Sequence, residues 1–584
     1  MKKGLKVVSI SLLSLCIVLY IGIFIFLKTF DFNRLKPQII IAGQNALGRP
    51  VDFTKIDLKL SFRNGIQLRL SDIKIGEDPE FGRGDFLTAK EFNFDLSVKE
   101  LLFKRQIRIS GAGCKDPILN IVRLKDGRIN AQAFGLGTQA SPRVLENSTD
   151  IGVQSSAASA VPASAIPEIF VNRVDIDNGK LTYIDHFSEP EVALVFDGIA
   201  LRLDDFSLAK AFPIALKASF ASDSQNIAAQ GKGQVNISRP SFILKDVKAT
   251  GELSNLSMEA LRRFIPQLKS APLPEIRSGI LSASIDLFEA GPEGLIALKG
   301  RGALAKGSLK MKELAVPVER IEAGFTMTES AITLDNASFS LGKGKIAFSA
   351  GISDYLLAQN YSAKANFENI DLSESMDQSA YPIKVKGIVS GNIKLSGQGF
   401  DPNTMLSKLN GNGSIDIKEG QLTDINVMKM VLDKLPFFPN LAGVLEEGLP
   451  DRFKGILRKK DTDIASFKSG LEVINGKIQI RPVDLEAESF IFQGEGSLGF
   501  DRSYSLFGAF VIPRELSAGM IEDVPQMEYL LDEAKQIRFP LRVSGKGASV
   551  SFVPDVKQMG ADAIRQRGMQ ELEKVFDKIW GKEQ

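Results

Sequence analysis

The chain has very little of the chemistry on which most metal sites and many enzymes depend. Its 584 residues include one histidine, two cysteines and one tryptophan. A zinc site normally needs several Cys or His ligands, and Cys16 and Cys114 alone make no disulfide framework. We therefore expect no metal, no cofactor and no catalytic residue, with Cys114 packed as a small hydrophobic residue.

The chain also lacks an imbalance of charge. It has 72 Lys and Arg residues against 70 Asp and Glu residues, a net charge of +2. Nucleic-acid-binding domains usually carry a clustered excess of positive charge, so we predict no nucleic-acid partner. Phenylalanine supplies 38 residues against 7 tyrosines, which suits apolar surfaces that need no hydrogen-bond partner.

The few patterns that suggest catalysis are weak. His186 lies in YIDHFSEP, in a predicted strand-to-loop turn, and no G-x-S-x-G motif accompanies it. Residues 494–499 match G-x-G-x-x-G, but the sequence after them alternates like a strand, where a nucleotide site needs a helix. Adjacent carboxylates such as Asp204 and Asp205 lie in ordinary polar surroundings. The sequence predicts a protein that is not an enzyme.

The N-terminus contains the one long uncharged run, residues 7–27. At about 1.5 Å per helical residue it is roughly 31 Å long, the thickness of a bilayer core. Lysines precede it, so the sequence predicts an anchor with a cytoplasmic N-terminus. A cleaved signal peptide is the alternative, but its apolar region usually has about 7–15 residues. The predicted anchor residues are Val7, Leu12, Leu15, Leu19, Ile23 and Leu27.

After the anchor we predict a short helix and then β-strands. Pro37 suits the first turn of the helix, and Gly48 suits the position just past its end. Residues 55–76 alternate on either side of Asn64-Gly65, the signal of a hairpin, and a second pair surrounds Asp126-Gly127. Residues 135–166 are rich in Ser, Ala and Pro without an aromatic residue, which predicts a flexible linker or insertion.

A pattern of alternation runs through the rest of the chain. In residues 383–397, IKVKGIVSGNIKLSG, every odd position is apolar or glycine. This pattern predicts either one strand that bends at Gly387, Gly391 or Gly397, or two short strands joined by a three-residue loop. Residues 325–352 also match residues 471–498 without gaps in their apolar positions, which indicates a weak internal repeat.

Helical patterns are few and local. They occur at residues 258–268, 424–460, 516–535 and in the C-terminal 555–584, where Met569, Leu572, Phe576 and Ile579 share one face. That last helix either docks on the body or binds a membrane surface or a partner. A sheet with one apolar face must bury it. Alternation alone leaves open a sandwich, a packed solenoid or a trough filled by acyl chains.

Several loose motifs follow the anchor in a specific order. In the N-terminal part they are Leu47-Gly48-Arg49-Pro50-Val51, Leu70-Ser71-Asp72-Ile73, Phe86-Leu87-Thr88-Ala89 and Asp126-Gly127-Arg128-Ile129-Asn130. Further on they are Gly397, Gly399, Leu409-Asn410-Gly411, Gly420 and a helix start after Ile425. With these motifs the chain resembles the AsmA family over most of its length outside the linker.

This resemblance implies a mainly β protein with one N-terminal transmembrane helix. An elongated, curved antiparallel β-sheet groove follows, taco-like, with a few short helices and the C-terminal amphipathic helix. The expected segments are 1–29 anchor; 30–134 AsmA-like N-terminal β region; 135–166 linker; 167–423 β-groove repeats; 424–460 helical segment; 461–554 AsmA-like C-terminal β region; and 555–584 amphipathic helix.

The resemblance also implies a location and a function. The expected location is the Gram-negative inner membrane, crossed once, with the body in the periplasm. The expected partners are phospholipids and the inner membrane, and the expected function is phospholipid transport between the inner and outer membranes and outer-membrane biogenesis. The candidate lining residues of the groove are Ile346, Phe348, Ile352, Ile383, Val385, Val389, Ile393, Leu395, Phe490, Phe492 and Leu498.

An alternative is a non-enzymatic assembly or scaffold factor for outer-membrane proteins. Such a factor would pair strands of an outer-membrane or periplasmic protein with an open edge of its sheet.

Overall fold

The computed structural model describes residues 31–61, 65–97, 109–133, 170–187, 191–236, 241–264, 273–291, 294–355, 357–376, 384–435, 440–547 and 549–555. The predicted anchor, the predicted linker and the C-terminal helix after Asp555 lie outside these residues. In the ranges above, no helix combines the length and the apolar character that crossing a membrane requires.

The described chain is mainly β, as predicted, with 25 strands assigned to one sheet. Alternating apolar and polar residues build these strands, because successive side chains point to opposite faces. The strands up to residue 252 are β1 Val51–Asp52, β2 Lys55–Ser61, β3 Gly65–Gly76, β4 Asp85–Leu96, β5 Ile109–Lys115, β6 Ile118–Arg123, β7 Phe170–Asp185, β8 Val192–Ser207, β9 Phe212–Phe220, β10 Ile227–Asn236 and β11 Ser241–Glu252.

The remaining strands belong to the second half of the chain. They are β12 Glu275–Gly291, β13 Gly294–Lys310, β14 Val318–Thr328, β15 Ala331–Leu341, β16 Gly344–Ser353, β17 Asn360–Asp371, β18 Lys384–Gln398, β19 Asn410–Thr423, β20 Thr462–Ile474, β21 Lys477–Ala487, β22 Ile491–Gly499, β23 Ser503–Ile512, β24 Ile537–Lys546 and β25 Ser549–Pro554.

The described helices are short. The α-helices are α1 Lys36–Leu47, α2 Met258–Phe264, α3 Leu372–Ser375, α4 Pro402–Met405, α5 Val427–Leu432, α6 Leu441–Gly448, α7 Asp451–Arg458 and α8 Arg514–Asp523. Single 3₁₀ turns cover Phe32–Leu35, Asn130–Ala133, Leu406–Lys408 and Pro525–Leu530. Helices α1, α2 and α5–α8 lie where the sequence predicts helices, whereas α3, α4 and the turns Asn130–Ala133 and Leu406–Lys408 were not predicted. Gly48 ends α1 in the left-handed conformation, with φ of 67°.

The chain divides into two compact units. Unit 1 contains residues 1–273 and 280–302, and unit 2 contains residues 274–279 and 303–584. The predicted segment boundaries stay predictions.

In unit 1 the strands pair mainly with their chain neighbours, as the predicted hairpin of β2 and β3 does. The sheet is antiparallel, as predicted, except that β5 and β6 both run parallel to β7. A parallel pair needs a long crossover connection. The connection from β6 to β7, which includes the predicted linker, has that length.

Three of the four N-terminal family motifs, through Arg49, Phe86 and Asn130, meet inside unit 1. The Arg49 guanidinium lies 2.8 Å from the Glu77 carboxylate and donates to the Asn130 carbonyl at 2.5 Å. The Asn130 amide in turn donates to Glu77 at 2.6 Å, and the guanidinium lies over the Phe86 ring at 4.5 Å. Arg49 and Asn130 are buried. Because removing one partner of a buried ion pair costs about 3–5 kcal/mol, this network makes the motifs structural.

Unit 2 is an antiparallel meander from β14 to β25 in which each strand pairs with its chain neighbours. Many of the strands contain a residue with positive φ. In β15, Asn336 has φ of 51°, and the pairing with β16 shifts between Leu334 and Ala337. Each such residue moves the apolar alternation by one position, so the same face stays apolar on both sides of the bulge.

Residues 384–397 of the alternating strip lie in the single strand β18, and the alternative of two short strands is wrong. Its pairing with β19 shifts between Lys386 and Ile388, and Gly387 between them has φ of 141°. The register therefore shifts opposite Gly387, one of the three predicted glycines, and the extra residue lies on β19, where Glu419 has φ of 51°.

Candidate functional site: the apolar face of unit 2

The side chains of one face of β15–β19 form cross-strand rows. We call this surface the apolar face. From one end of the strands to the other, the rows are Phe339–Ile346–Phe367–Gly391–Ile415, Ala337–Phe348–Ala365–Ile393–Gly413, Leu334–Ala350–Ala363–Leu395–Gly411 and Ile332–Ile352–Tyr361–Gly397.

Much of the apolar face is open. Ala363 lies on a central strand of this face, yet its side chain is exposed. Ile352, Ile393 and Leu395 are only partly buried and belong to none of the buried clusters found among the described residues. Small residues alternate with large ones along the rows, so the face has shallow places between apolar side chains.

Glycines on this face accommodate rings from the next strand. A Cβ atom on Gly391 would come within 2.7 Å of the Phe367 ring, and one on Gly397 would meet the Tyr361 ring. The rings therefore lie flat over the glycine backbone and keep the surface smooth.

One margin of the apolar face is closed by protein. Val318, Leu341, Ile370 and Val389 are buried there. Leu314 and Val316, from the connection before β14, and Leu372 of α3 pack against them. The Ala315 amide donates to the Ser375 carbonyl at 3.0 Å, which joins these two covering segments.

The same side of the sheet is covered over β21–β24. Helices α5–α8 and the turn Pro525–Leu530 place apolar side chains on it, and the shared core has 22 buried residues. Its centre is a stack of three rings, with Phe510 lying 4.6 Å from Phe490 and 5.3 Å from Phe539. The helical patterns that are few and local in the sequence thus form helices that do cover the apolar side here.

The candidate lining residues therefore have different surroundings. Phe490 and Phe492 are 3% and 5% exposed and pack against the helices, so protein atoms occupy the space above them. Val389 lies in the closed margin. The residues left on partly open surface are Ile346, Phe348, Ile352, Val385, Ile393, Leu395 and Leu498. Ile383 and the six anchor residues lie outside the described residues.

The other residues considered for chemistry have ordinary surroundings. His186 follows β7, and its Nδ1 lies 2.8 Å from a Glu191 carboxylate oxygen. Burial raises the pKa of the Cys114 thiol to about 12, so the thiol packs as predicted and stays protonated. The G-x-G-x-x-G motif lies within β22, as the alternation indicates, and Asp205 is a left-handed residue within β8.

The sequence reasoning missed Ala350, Ala363 and the glycines of β19 as part of the face. The signal was their position, because they occupy face positions in the alternation of β16, β17 and β19. A search for large apolar residues does not find such small ones. It also missed the bulges, whose signal is a pair of polar residues such as Asp335-Asn336 or Glu368-Asn369 inside an alternating run.

Comparison with protein-family models gives a match over most of the chain. The model of the AsmA family matches residues 1–288 and 305–483, which is most of the chain. No curated protein matches at a significant level.

Proposed function

The chain belongs to the AsmA family, and from that premise we propose that the open part of the apolar face binds the acyl chains of phospholipids. The protein is an inner-membrane-anchored periplasmic carrier that supports phospholipid transport between the two membranes and outer-membrane biogenesis. It performs no covalent chemistry.

The observation that carries this proposal is the partial exposure of Ile352, Ile393 and Leu395 beside the exposed Ala363. Unit 2 has helices that cover the corresponding side of β21–β24, so the open part is not a general property of the sheet. A large exposed apolar patch usually marks a binding surface.

Acyl chains suit this surface because its rows offer apolar side chains, and the one hydroxyl among them, that of Tyr361, already donates to the Met405 carbonyl. Each methylene group removed from water contributes about 0.8 kcal/mol. A zwitterionic or anionic head group keeps its hydration if it stays off the face. The predicted anchor, residues 1–29, would hold the chain at the membrane from which lipid is drawn.

A charge placed on the face tests the proposal. We would express the full chain as wild type and as Ile393→Asp, purify it in mild detergent and quantify bound phospholipid by mass spectrometry. The matched control is Lys394→Asp, the same new residue one position along β18 on the opposite face. Because a carboxylate next to acyl chains must be desolvated, we expect roughly fivefold less lipid in Ile393→Asp and little change in the control.

Wild-type protein that carries no phospholipid would refute the lipid function. The alternative, a scaffold for outer-membrane proteins, would then be supported by polypeptide crosslinks from an edge strand such as β25. A loss of lipid in both variants would mean that the charge acts through folding, which unfolding curves would reveal.

A further inference from the structure

Strand β23 is apolar on both of its faces. Its ten residues read SYSLFGAFVI. Phe510 and Ile512 point into the core that helices α5–α8 cover. Because successive side chains of a strand point to opposite faces, Phe507, Ala509 and Val511 lie on the other side of the sheet, which we call the outer face. A strand that is apolar on both faces is usually covered on both.

The neighbouring strands extend this apolar surface. Cross-strand pairing places one apolar residue of β22, one of β24 and one of the edge strand β25 in the same rows. We call the whole set the outer patch: Ile491, Phe507, Ala509, Val511, Pro540 and Val553. Val511 is 5% exposed, whereas Val553 is 50% exposed, so the outer patch is open towards the edge strand.

The rest of the outer face is polar. On the same four strands the row next to the outer patch is Ser497–Ser505–Ser544–Ser551. Over β16–β19 that row is Ser349–Lys364–Lys394–Asn412. The outer patch is therefore an apolar area within a polar face, and such an area usually marks a binding surface.

The C-terminal segment of the chain leaves the sheet at the outer patch. The Asp555 amide donates to the Pro540 carbonyl at 3.0 Å, so the chain still lies beside the outer patch where the described residues end. We call residues 556–584, which lie outside the described residues, the tail. The sequence of the tail predicts a helix with four apolar residues on one face: Met569, Leu572, Phe576 and Ile579.

We infer that the tail docks on the outer patch, with the apolar side of its predicted helix across β22–β25. The last strands of the sheet are then covered by protein on both faces, by α5–α8 on one side and by the tail on the other. The tail is the occupant because it begins at the outer patch and carries an apolar face of its own. This inference does not depend on the proposed lipid function.

The dimensions of the two surfaces agree. A helix from Met569 to Ile579 is about 15 Å long, at roughly 1.5 Å per residue. Four strands, β22–β25, span about 14 Å, at roughly 4.8 Å between neighbours. Residues 556–568 give ample chain to carry the helix from Asp555 onto the outer patch. The predicted apolar face can therefore contact all four strands at once.

The charges beside the two surfaces are also complementary. Arg538 and Arg542 are exposed on the outer face of β24, and neither guanidinium forms an ion pair with another of the described residues. In the tail, Glu573 borders the predicted apolar face, because it follows Met569 by four residues and precedes Phe576 by three. A docked helix brings this carboxylate to the side of the outer patch where the arginines lie.

Limited digestion of the full chain by trypsin in mild detergent tests the docking. The tail contains several lysines and arginines, and mass spectrometry of the fragments identifies the bonds that are cut. Val553→Asp puts a carboxylate on the outer patch and should accelerate cleavage within the tail about tenfold, because docked chain is cut only when it opens. The matched control is Ser551→Asp, the same new residue on the same strand and face, which should stay within about a factor of two.

Variants of the tail give an independent measurement. Phe576→Asp, on the predicted apolar face, should also accelerate cleavage about tenfold, and Gln570→Asp, on the opposite face, should change it by less than about a factor of two. Combining Val553→Asp with Phe576→Asp should add little to either change alone, because both remove the same contact. Unchanged cleavage of the body shows that the fold is intact.

Several results would overturn the inference. A wild-type tail that is cut as fast as the tail of Val553→Asp is not docked. Protection that appears only with vesicles of phosphatidylethanolamine and phosphatidylglycerol would place the tail on a membrane instead. Protection that falls on dilution would place it on a second copy of the chain. Equal acceleration by Ser551→Asp would place it away from the outer patch.

Discussion

Two three-stranded segments of unit 2 have the same backbone plan and different surroundings. In β14–β16, Phe325 pairs with Leu334, and Phe339 pairs with Ile346. In β20–β22, Leu471 pairs with Ile480, and Leu485 pairs with Phe492. The offset is constant, and the register shift between Leu334 and Ala337 recurs between Ile480 and Val483. The predicted internal repeat therefore extends to the register and to the bulge.

The two segments differ in what covers them. Helices α5–α8 extend over β20–β22 and bury Phe492, whereas β14–β16 leave Phe348 and Ile352 partly exposed. An apolar row in a strand thus specifies which side needs cover, and the connections decide whether protein supplies it. The long connections 424–461 and 513–536, which contain α5–α8, supply that cover for only part of the sheet.

The largest expected difference between the covered core and the open face comes from a buried charge. Ile512→Asp places a carboxylate in the covered core, where Ile512 is fully buried, and should cost more than about 4 kcal/mol or prevent folding. Ile393→Asp on the open face should cost only about 1–2 kcal/mol, because the side chain is only partly buried. Urea unfolding of both variants measures this, and equal losses would show that the apolar face is as closed as the core.

Truncating a ring should also cost more unfolding free energy in the covered core than on the open face, with smaller losses than the new charges cause. Phe510→Ala leaves a cavity between Phe490 and Phe539 and should lower the free energy of unfolding by about 3–5 kcal/mol. Phe348→Ala on the open face should cost roughly 1–1.5 kcal/mol. A Phe348→Ala loss as large as that of Phe510→Ala would contradict the open face.

Weakening the helical layer should make the covered segment resemble the open one. Leu445→Ala in α6 removes a fully buried side chain and should cost about 2–4 kcal/mol. The variant should bind more of a dye that reports exposed apolar surface. Val444→Ala, at the adjacent exposed position on the same helix, is the control and should leave dye binding unchanged.

The bulge residues should contribute less to the unfolding free energy than the buried core residues do. Asn336→Ala keeps the left-handed conformation at a cost of about 1 kcal/mol, since Asn adopts it more readily than Ala. Ser338→Ala, two positions further along β15, should change the unfolding free energy by less than about 0.5 kcal/mol. Unfolding curves compare the two, and no effect of Asn336→Ala would mean that the bulge relaxes.

The smallest effect should be a pH dependence of the unfolding free energy that comes from Asp501, in the turn between β22 and β23. Hydrogen bonds from Ser503 and from Lys546 lower the pKa of Asp501. A lowered folded pKa contributes stability above about pH 4 that is lost as the pH falls through the folded value. Asp501→Asn should remove this part of the dependence. A variant curve parallel to that of the wild type at acidic pH would contradict it.

Much of the fold follows from local patterns. The alternation of residues 384–398, the Asn64-Gly65 turn signal and Pro37 and Gly48 at the ends of α1 all indicate structure through contacts between near neighbours. The parallel pairing of β5 and β6 with β7 could not be predicted, because the connection to β7 contains no pattern that specifies direction.

The candidate site was predicted only in part for a related reason. Val389, Ile393 and Phe492 satisfy the same alternation, yet one lies in a closed margin, one on open surface and one beneath helices. Their strand positions depend on residues two apart, whereas their cover comes from segments tens of residues away.

By itself the sequence determined the alternating strands, their apolar side and the larger helical segments, though not the short helices α3 and α4, because these features depend on side-chain alternation and on turn and cap residues. It also contained the motifs that place the chain in its family. Only the tertiary structure decided which apolar residues stay open, because cover depends on where the long connections 424–461 and 513–536 fold back onto the sheet.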